Sequence, residues 1–301
     1  MFQITRRDFL KYLAVSSVAA GISQSELGRA LQVLAQSNKP PVVWLQGAGC
    51  NGCSISLLNS VNPAPDDLLL NSIDLQYHPT LMGAAGNMAV DAVSQALNSG
   101  VTVLVIEGAI PTRHERYCTV WETPDGHHVT LREGVQQLAA VADYVLAVGS
   151  CSAFGGIPAR SSDTGASSAA AVLPGRTVVN IPGCPSHPDW IIGTIVSILA
   201  LGGLPPLDQY NRPLAYFGRR VHSICPLRER EEAHTFGQDG CCLEELGCLG
   251  PQTWADCPIR GWNNNVSWCM AAGGLCIGCT EPFFPRLPMH HNGDGDDGDD
   301  D

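Results

Sequence analysis

Soft metal ligands are concentrated near the end of the 301-residue chain. Between residues 222 and 279 the sequence places eight candidate ligands: His222, Cys225, Cys242, Cys248, Cys257, Cys269, Cys276 and Cys279. The residues between them include many Gly, Asn, Asp and Pro and lack apolar periodicity, so the segment buries too little side-chain area to offset the entropy of ordering it. Disulfides, zinc and iron-sulfur clusters are the candidates for what holds it together.

The number and spacing of the cysteines favour iron-sulfur clusters among these candidates. The chain has 13 cysteines, and an odd number counts against a closed disulfide framework. Zinc would accept either four-ligand set in this segment, but structural zinc ligands usually come as two tight pairs around a short finger. The looser spacing seen here suits a cluster that itself spans several ångströms.

The secondary structure before residue 222 can be predicted from the periodicity of the apolar residues there. From Pro41 onward, short apolar strands alternate with helical stretches, which predicts an α/β domain with a parallel sheet covered on both faces. Thr130 followed by Glu133 predicts a capping box, and Pro205-Pro206 begins a linker that ends the regular pattern. The strands are expected over 42–46, 73–77, 101–107, 144–148 and 177–181, and the helices over 54–60, 88–98, 131–142 and 189–201.

Four more cysteines follow three of the predicted strands: Cys50, Cys53, Cys151 and Cys184. The carboxyl edge of an open α/β sheet is where ligands bind, so these residues are expected to converge there. Glycines beside them let the backbone approach a cluster closely. A Cys-x-x-Cys loop alone also fits a thioredoxin-like redox pair, and zinc or unliganded core thiols are the alternatives for the whole set.

Together these residues make twelve ligands, enough for three clusters of four. Cys118 and Cys241 are left over as spare or non-ligating thiols. Several redox centres in one chain indicate an electron relay, because electron transfer falls off steeply with distance. A histidine ligand such as His222 would suit the exposed end of that relay, since replacing a thiolate by neutral imidazole changes the charge and potential of a cluster.

The N-terminus has the pattern of an export signal. Arg6-Arg7 precedes a mildly apolar run from Tyr12 to Ile22, and a small-residue site follows near Ala35. This predicts a twin-arginine signal peptide over 1–35; a chance arginine pair on an amphipathic helix is the alternative. Twin-arginine export carries folded proteins, which suits a metal centre assembled inside the cell and predicts a periplasmic location.

Charge excludes one class of partner. The net charge is −12, and removing residues 1–35 makes it −14, because four cations and two acids are lost. Nucleic acid is therefore not expected to bind. The Gly- and Asp-rich residues 289–301 are expected to be a disordered acidic tail; His290 and His291 beside the acids lack the spacing of an EF-hand loop.

Several motifs, in order over about 40–285, resemble the small, electron-transferring subunit of nickel-iron hydrogenases. They are Trp44-Leu45-Gln46-Gly47 with Cys50-Asn51-Gly52-Cys53, Glu107-Gly108-Ala109-Ile110-Pro111, Gly149-Ser150-Cys151, Ile181-Pro182-Gly183-Cys184-Pro185, Arg220-Val221-His222 with Cys225, and Cys276-Ile277-Gly278-Cys279. The pattern is most similar to the nickel-iron-selenium members.

The resemblance implies a flavodoxin-like domain over 36–204 and an irregular domain of loops and short helices over 213–288. The first would hold a proximal 4Fe-4S cluster on Cys50, Cys53, Cys151 and Cys184. The second would hold a distal 4Fe-4S cluster on His222, Cys225, Cys242 and Cys248, and a medial cluster on Cys257, Cys276 and Cys279. Many relatives have proline where this chain has Cys269, and they carry a three-iron medial cluster. A fourth thiolate implies 4Fe-4S, with 3Fe-4S expected if Cys269 does not ligate.

The resemblance also implies what lies outside this chain. The nickel site would belong to a large-subunit partner in a heterodimer, so this chain has no catalytic residue and is active in hydrogen oxidation or proton reduction only with that partner. Without a C-terminal anchor, a periplasmic cytochrome c is expected as acceptor rather than a membrane cytochrome b. Gly52 and Gly156 stand where oxygen-tolerant members have extra cysteines, which implies an ordinary proximal cubane.

Two other classes remain as alternatives. One is a cluster-bearing electron-transfer module of another oxidoreductase, such as the related subunit of respiratory complex I. That relative has adjacent cysteines in its first loop and lacks a segment like 222–279. The other is a zinc-stabilised structural protein, which would be colourless where an iron-sulfur protein is brown.

Overall fold

The computed structural model describes residues 39–61, 63–114, 117–123, 125–238 and 240–285. The predicted signal peptide, the acidic tail and His290 and His291 lie outside the described residues. The chain divides into two compact units, Met1–Tyr216 and Phe217–Asp301. The first is called unit 1 and the second unit 2.

Unit 1 is built on a five-stranded parallel sheet. Its strands are β1 (Pro41–Gln46), β2 (Asp74–Tyr77), β3 (Val101–Glu107), β6 (Ala142–Val148) and β7 (Val178–Ile181), and β4 (Thr119–Glu122) pairs with β5 (His128–Thr130) in a separate antiparallel hairpin. The parallel order is β2-β1-β3-β6-β7, which without the hairpin is the flavodoxin-like order 2-1-3-4-5. The predicted α/β class with a parallel sheet is therefore confirmed.

Strands β3 and β7 are buried along nearly their whole length. In β3 only Thr102 is partly exposed, and all four residues of β7 are buried. Such continuous apolar strands are typical of a parallel sheet that helices cover on both faces. The register aligns Gln46 of β1 with Glu107 of β3, and Glu107 with Val148 of β6, so these three strands end level with one another.

The described residues form the helices α1 (Gly52–Leu58), α2 (Pro65–Asp67), α3 (Asn87–Ser99), α4 (Leu131–Val141), α5 (Gly149–Phe154), α6 (Ala169–Val172), α7 (Pro188–Leu201), α8 (Leu214–Phe217) and α9 (Cys257–Arg260). The four predicted helices correspond to α1, α3, α4 and α7, which begin and end close to the predicted positions. The capping box of α4 is confirmed: Glu133 N donates to Thr130 Oγ1 at 3.2 Å, and Thr130 N donates to Glu133 Oε2 at 2.8 Å.

Some elements were not predicted. The hairpin of β4 and β5 has too little alternation to stand out, and α5 is hidden by the glycine at its start. Helix α1 begins at Gly52 rather than at residue 54, so Cys53 lies in the first turn of a helix instead of in the preceding loop. The helix therefore begins within the Cys-x-x-Cys motif.

Unit 2 has little regular structure among its described residues. Besides α9 it has two short 3-10 turns, His222–Ile224 and Gly250–Gln252. One small buried apolar cluster of unit 2 consists of Ala233, Leu243 and Met270, with a few partly buried neighbours. In the part of the chain described, no helix is both long and apolar enough to cross a bilayer.

Candidate metal centres

The carboxyl edge of the sheet in unit 1 brings the first four cysteines together. Cys50 follows β1, Cys53 lies in α1, Cys151 lies in α5 directly after β6, and Cys184 follows β7. Because β1, β3, β6 and β7 are neighbours in the sheet, residues 134 positions apart in sequence meet at one edge.

These thiols influence one another electrostatically. Burial, then the Glu107 carboxylate, and then the sulfurs of Cys151 and Cys50 raise the pKa of Cys53 well above its usual range. Burial and then Cys184 raise the pKa of Cys151 to about 11, with Cys50 adding to the effect. Burial and then Cys50 raise the pKa of Cys184. Four thiols grouped in this way can all be ionised only if a cation binds them. A metal cluster would supply that cation.

Glycines leave the space that such a cluster needs. A Cβ at Gly149 would lie 2.6 Å from Cys53 Sγ, and one at Gly156 would lie 3.1 Å from Cys151 Sγ. Gly149 also has a φ of +83°, which L side chains rarely adopt. The sulfurs therefore face backbone without side chains.

Backbone amides also point at the sulfurs. Ser186 N lies 3.5 Å from Cys53 Sγ, and the amide of Ile157 lowers the pKa of Cys151 against the larger effect of its burial. Amide donors to cysteine sulfur are a feature of iron-sulfur sites, where they tune the potential.

The second set lies in unit 2. Burial and then Cys242 raise the pKa of Cys225, while the amides of Leu227 and Arg228 lower it. Burial, Cys242 and Cys225 raise the pKa of Cys248. The ligand atoms of His222, Cys242 and Glu244 lie within 4.8 Å of one another. The structure thus brings His222 and its three predicted partner cysteines to one place.

Glu244 is a neighbour that sequence reasoning missed. Its Oε2 lies 3.6 Å from His222 Nδ1, which is longer than a hydrogen bond but makes the carboxylate a direct neighbour of the imidazole. Only the spacing of Glu244, two residues after Cys242, could have indicated it, and many exposed glutamates share such spacing.

The third set also lies in unit 2 and includes Cys269. Burial, and then Cys279, Asp256, Cys269 and Cys276, raise the pKa of Cys257. Burial raises the pKa of Cys276 to about 11, and Thr253 Oγ1 lies 3.5 Å from its sulfur. Cys269 therefore lies with the other three thiols rather than apart from them.

The two cysteines left over lie among apolar side chains. Cys118 packs against the main core of unit 1, and burial raises its pKa. Cys241 packs against the small apolar cluster of unit 2. That these two thiols belong to none of the three sets stays a prediction, since Cys248, a proposed ligand, packs against the same cluster as Cys241.

A buried carboxylate at the first site was also missed as a site residue. Glu107 ends β3, between the strands that lead to Cys53 and Cys151, and is 2% exposed. Its Oε1 accepts from Cys53 N at 3.0 Å. An acid at the end of a strand that is apolar except for Thr102 was the available signal, since burial of a carboxylate requires partners.

Comparison with protein families gives two matches, one for each part of the chain. Residues 50–198 match the family model described as NADH ubiquinone oxidoreductase, 20 Kd subunit. Residues 217–290 match the model for the C-terminal part of the NiFe/NiFeSe hydrogenase small subunit. The second match includes residues 222–279, the segment expected to distinguish the two families.

Individual relatives match nearly the whole chain. The small subunit of the periplasmic NiFeSe hydrogenase of Desulfomicrobium baculatum is 42% identical, over 94% of this chain and 96% of its own length. The hydrogenase-2 small chain of Escherichia coli K12 is 36% identical, over 92% of this chain and 77% of its own length.

Solved structures agree. A reduced, active form of the NiFeSe hydrogenase from Desulfomicrobium baculatum matches with a TM-score of 0.79 and 43% identity, over 84% of this chain and 99% of that one. The recombinant NiFeSe hydrogenase of Desulfovibrio vulgaris Hildenborough in the oxidised state matches with the same TM-score and 40% identity, over 86% and 99% of the two chains.

The close approach of Gly149 to Cys53 yields a first prediction. Gly149→Ala places a methyl group 2.6 Å from Cys53 Sγ and should prevent a cluster from forming at the first site. Acid-labile sulfide of the purified protein should fall by about a third, because one of three four-sulfide clusters is lost. Gly175→Ala is the matched control: its φ of +80° imposes the same backbone strain, but no atom lies within 4 Å of the added methyl. Equal sulfide loss in both variants would contradict the steric explanation.

The raised thiol pKa values yield a second prediction. Each thiolate that binds a metal gives up a proton, so protons compete with iron, and they compete better where the thiol pKa is raised, as for Cys151 and Cys276. Affinity therefore falls as pH falls. Extraction of iron by a chelator should be several-fold faster at pH 5.5 than at pH 8 under argon. A rate independent of pH would mean that thiolates are not the ligands.

Proposed function

The chain belongs to the small subunits of the nickel-iron and nickel-iron-selenium hydrogenases, and from that premise we propose how its residues hold the electron relay. Hydrogenase small subunits carry iron-sulfur clusters, and the cysteines of this chain fit them. The reaction served is the interconversion of hydrogen with two protons and two electrons. This chain carries the electrons between the nickel-iron site of a large subunit and an external acceptor.

The observation that carries the proposal is that, in each proposed set of four, a thiol has its pKa raised by other thiols of the same set. Cys248 of the distal set also raises the pKa of Cys276 of the medial set, so the two sets of unit 2 are neighbours. The proximal cluster is assigned to Cys50, Cys53, Cys151 and Cys184, the distal one to His222, Cys225, Cys242 and Cys248, and the medial one to Cys257, Cys269, Cys276 and Cys279.

Each cluster, when bound, supplies a one-electron redox centre. The chain's own residues hold it, insulate it and tune it. Thiolates supply the ligands, and amides such as Ser186 N point at sulfur. His222 is 26% exposed at its side chain, which suits a ligand at the end of the relay where electrons leave the protein.

The medial cluster is proposed to be 4Fe-4S. Cys269 contributes to the raised pKa values of both Cys257 and Cys276, so a fourth thiolate is available. For the proximal site we propose an ordinary 4Fe-4S cubane, since glycine stands at positions 52 and 156. Any Cβ at Gly156 would lie 2.9 Å from the backbone of Cys151.

The chain is proposed to work in the periplasm as a heterodimer with a hydrogenase large subunit. Relatives named as periplasmic hydrogenase small subunits support the location. Twin-arginine export of the folded complex is proposed from Arg6-Arg7, and a cytochrome c as the electron acceptor. A membrane cytochrome b is the other acceptor considered.

The complex I-like alternative is weaker. Its family model matches residues 50–198 only, while the relatives that match more than nine-tenths of the chain are hydrogenase small subunits. The residues of unit 2 to which the medial and distal clusters are assigned lie outside the part that this model matches.

The function is tested by separating the subunits. Hydrogen uptake with a viologen dye should be measured for this chain alone, for the large subunit alone and for the co-expressed pair. Activity is expected only for the pair, because the nickel site and the relay are on different chains. Hydrogen turnover by this chain alone would refute the division of labour.

The type of the medial cluster is tested at Cys269. The oxidised wild-type protein should show no strong three-iron EPR signal, whereas Cys269→Ser should show one, because a cubane that loses a thiolate readily loses the iron it held. Cys118→Ser is the control, since Cys118 packs against the core of unit 1, and it should leave the spectrum unchanged. A strong three-iron signal in the wild type would show that Cys269 does not ligate.

A further inference from the structure

The Glu107 carboxylate is the most completely bonded acid at the proximal site, and neither the family assignment nor the ligand sets give it a role. Glu107 is 2% exposed at the carboxyl end of β3. We propose that its fixed negative charge, held beside Cys53 by a chain of hydrogen bonds through Ser54 and His78, lowers the reduction potential of the proximal cluster. This inference rests on the proposed function.

Five donors converge on the two carboxylate oxygens. Cys53 N and Ser54 N donate to Oε1 at 3.0 and 3.1 Å. Trp44 Nε1, Gln46 Nε2 and Ser54 Oγ donate to Oε2 at 2.9, 3.1 and 2.5 Å. A carboxylate accepts at both oxygens, whereas a carboxylic acid would have to turn a proton toward one of these donors. The geometry therefore favours the ionised form.

His78 fixes the direction of the Ser54 hydroxyl. His78 Nδ1 accepts from Thr80 N at 3.1 Å and from Leu81 N at 3.3 Å, so the proton of the neutral ring is on Nε2. Nε2 then donates to Ser54 Oγ at 3.2 Å, and the Ser54 proton is left for Glu107. His78 is wholly buried, and burial lowers its pKa to about 4 although Glu107 opposes the change.

The charge of Glu107 is therefore not neutralised by its bonded partners. The five donors are two amides, an indole, a carboxamide and a hydroxyl, and the imidazole behind the hydroxyl is neutral. A buried charge acts strongly on its neighbours because little water screens it. Glu107 contributes to the raised pKa of both Cys53 and Cys151, so its field reaches two ligands of the same set.

The same field acts on electron transfer. Reduction adds one electron, and a negative charge nearby makes that addition less favourable. Glu107 thus has two roles. Its hydrogen bonds hold the backbone at the start of α1, and its charge changes the electrostatic potential at the cluster. The two roles make different predictions, because only the second depends on charge.

The experiment is a redox titration of the complete heterodimer, followed by EPR, with Glu107→Gln and Glu107→Asp. Glutamine keeps the size and loses the charge, and aspartate keeps the charge and loses reach. Glu107→Gln should raise the midpoint potential of one cluster. At a fixed potential, the ratio of its reduced to its oxidised form should increase on the order of tenfold, which corresponds to about 59 mV for a one-electron couple. Glu107→Asp should shift it much less.

Glu133→Gln is the matched control. Glu133 also accepts hydrogen bonds at the start of a helix, but its side chain is 42% exposed. It should lower thermal stability and leave all three midpoints unchanged. His78→Gln, which removes the group that orients Ser54, should shift the same midpoint as Glu107→Gln in the same direction and by less.

Three outcomes would overturn the proposal: unchanged midpoints in Glu107→Gln at full acid-labile sulfide, equal shifts in the glutamine and aspartate variants, or loss of the proximal cluster in both. The last would make Glu107 a purely structural residue. A wild-type heterodimer without a proximal cluster would instead refute the proposed function, so the two failures are distinguishable.

Discussion

The mutual repulsion of closely grouped thiolates, some buried and others only partly so, is the constraint on which this structure depends. In each of three places, burial and neighbouring sulfurs raise thiol pKa values, to about 11 for Cys151 and Cys276. Such groups are unfavourable as free thiolates and favourable as ligands of a multivalent cation. In unit 2, where the described residues have little regular secondary structure, the proposed coordination would add to the stabilisation that buried side chains such as Phe217, Val221 and Phe284 provide.

In unit 1 the core supports the sheet that positions the cysteines, and these cysteines lie at the edge of the sheet rather than at its centre. Strands β1, β3 and β6 end level with one another, so the loops and helices that follow bring Cys53 and Cys151 to the same edge. Positive-φ glycines at the turns, Gly149 above all, let backbone approach sulfur. The sheet thus fixes the positions of these cysteines, and the glycine-rich turns leave space for the proposed cluster.

Much of this arrangement was predictable from sequence because it depends on periodicity and on residue type. The parallel strands, the capping box at Thr130 and the placement of cysteines after strands all follow from local patterns. The hydrogen-bonded chain from His78 through Ser54 to Glu107 did not, because its members are 24 and 53 residues apart and meet only when β1, β2 and β3 pair. A single glutamate near a cysteine, such as Glu244, is too common in sequences to be recognised in advance as part of a site.

The central claim is that three clusters are bound by this one chain. Acid-labile sulfide, measured anaerobically in the purified heterodimer, tests it most directly, because sulfide comes from the clusters and not from ordinary protein groups. About twelve sulfides per small subunit are expected, whichever form the medial cluster takes. A value of about eight or fewer, or a folded chain that contains zinc and no sulfide, would contradict it.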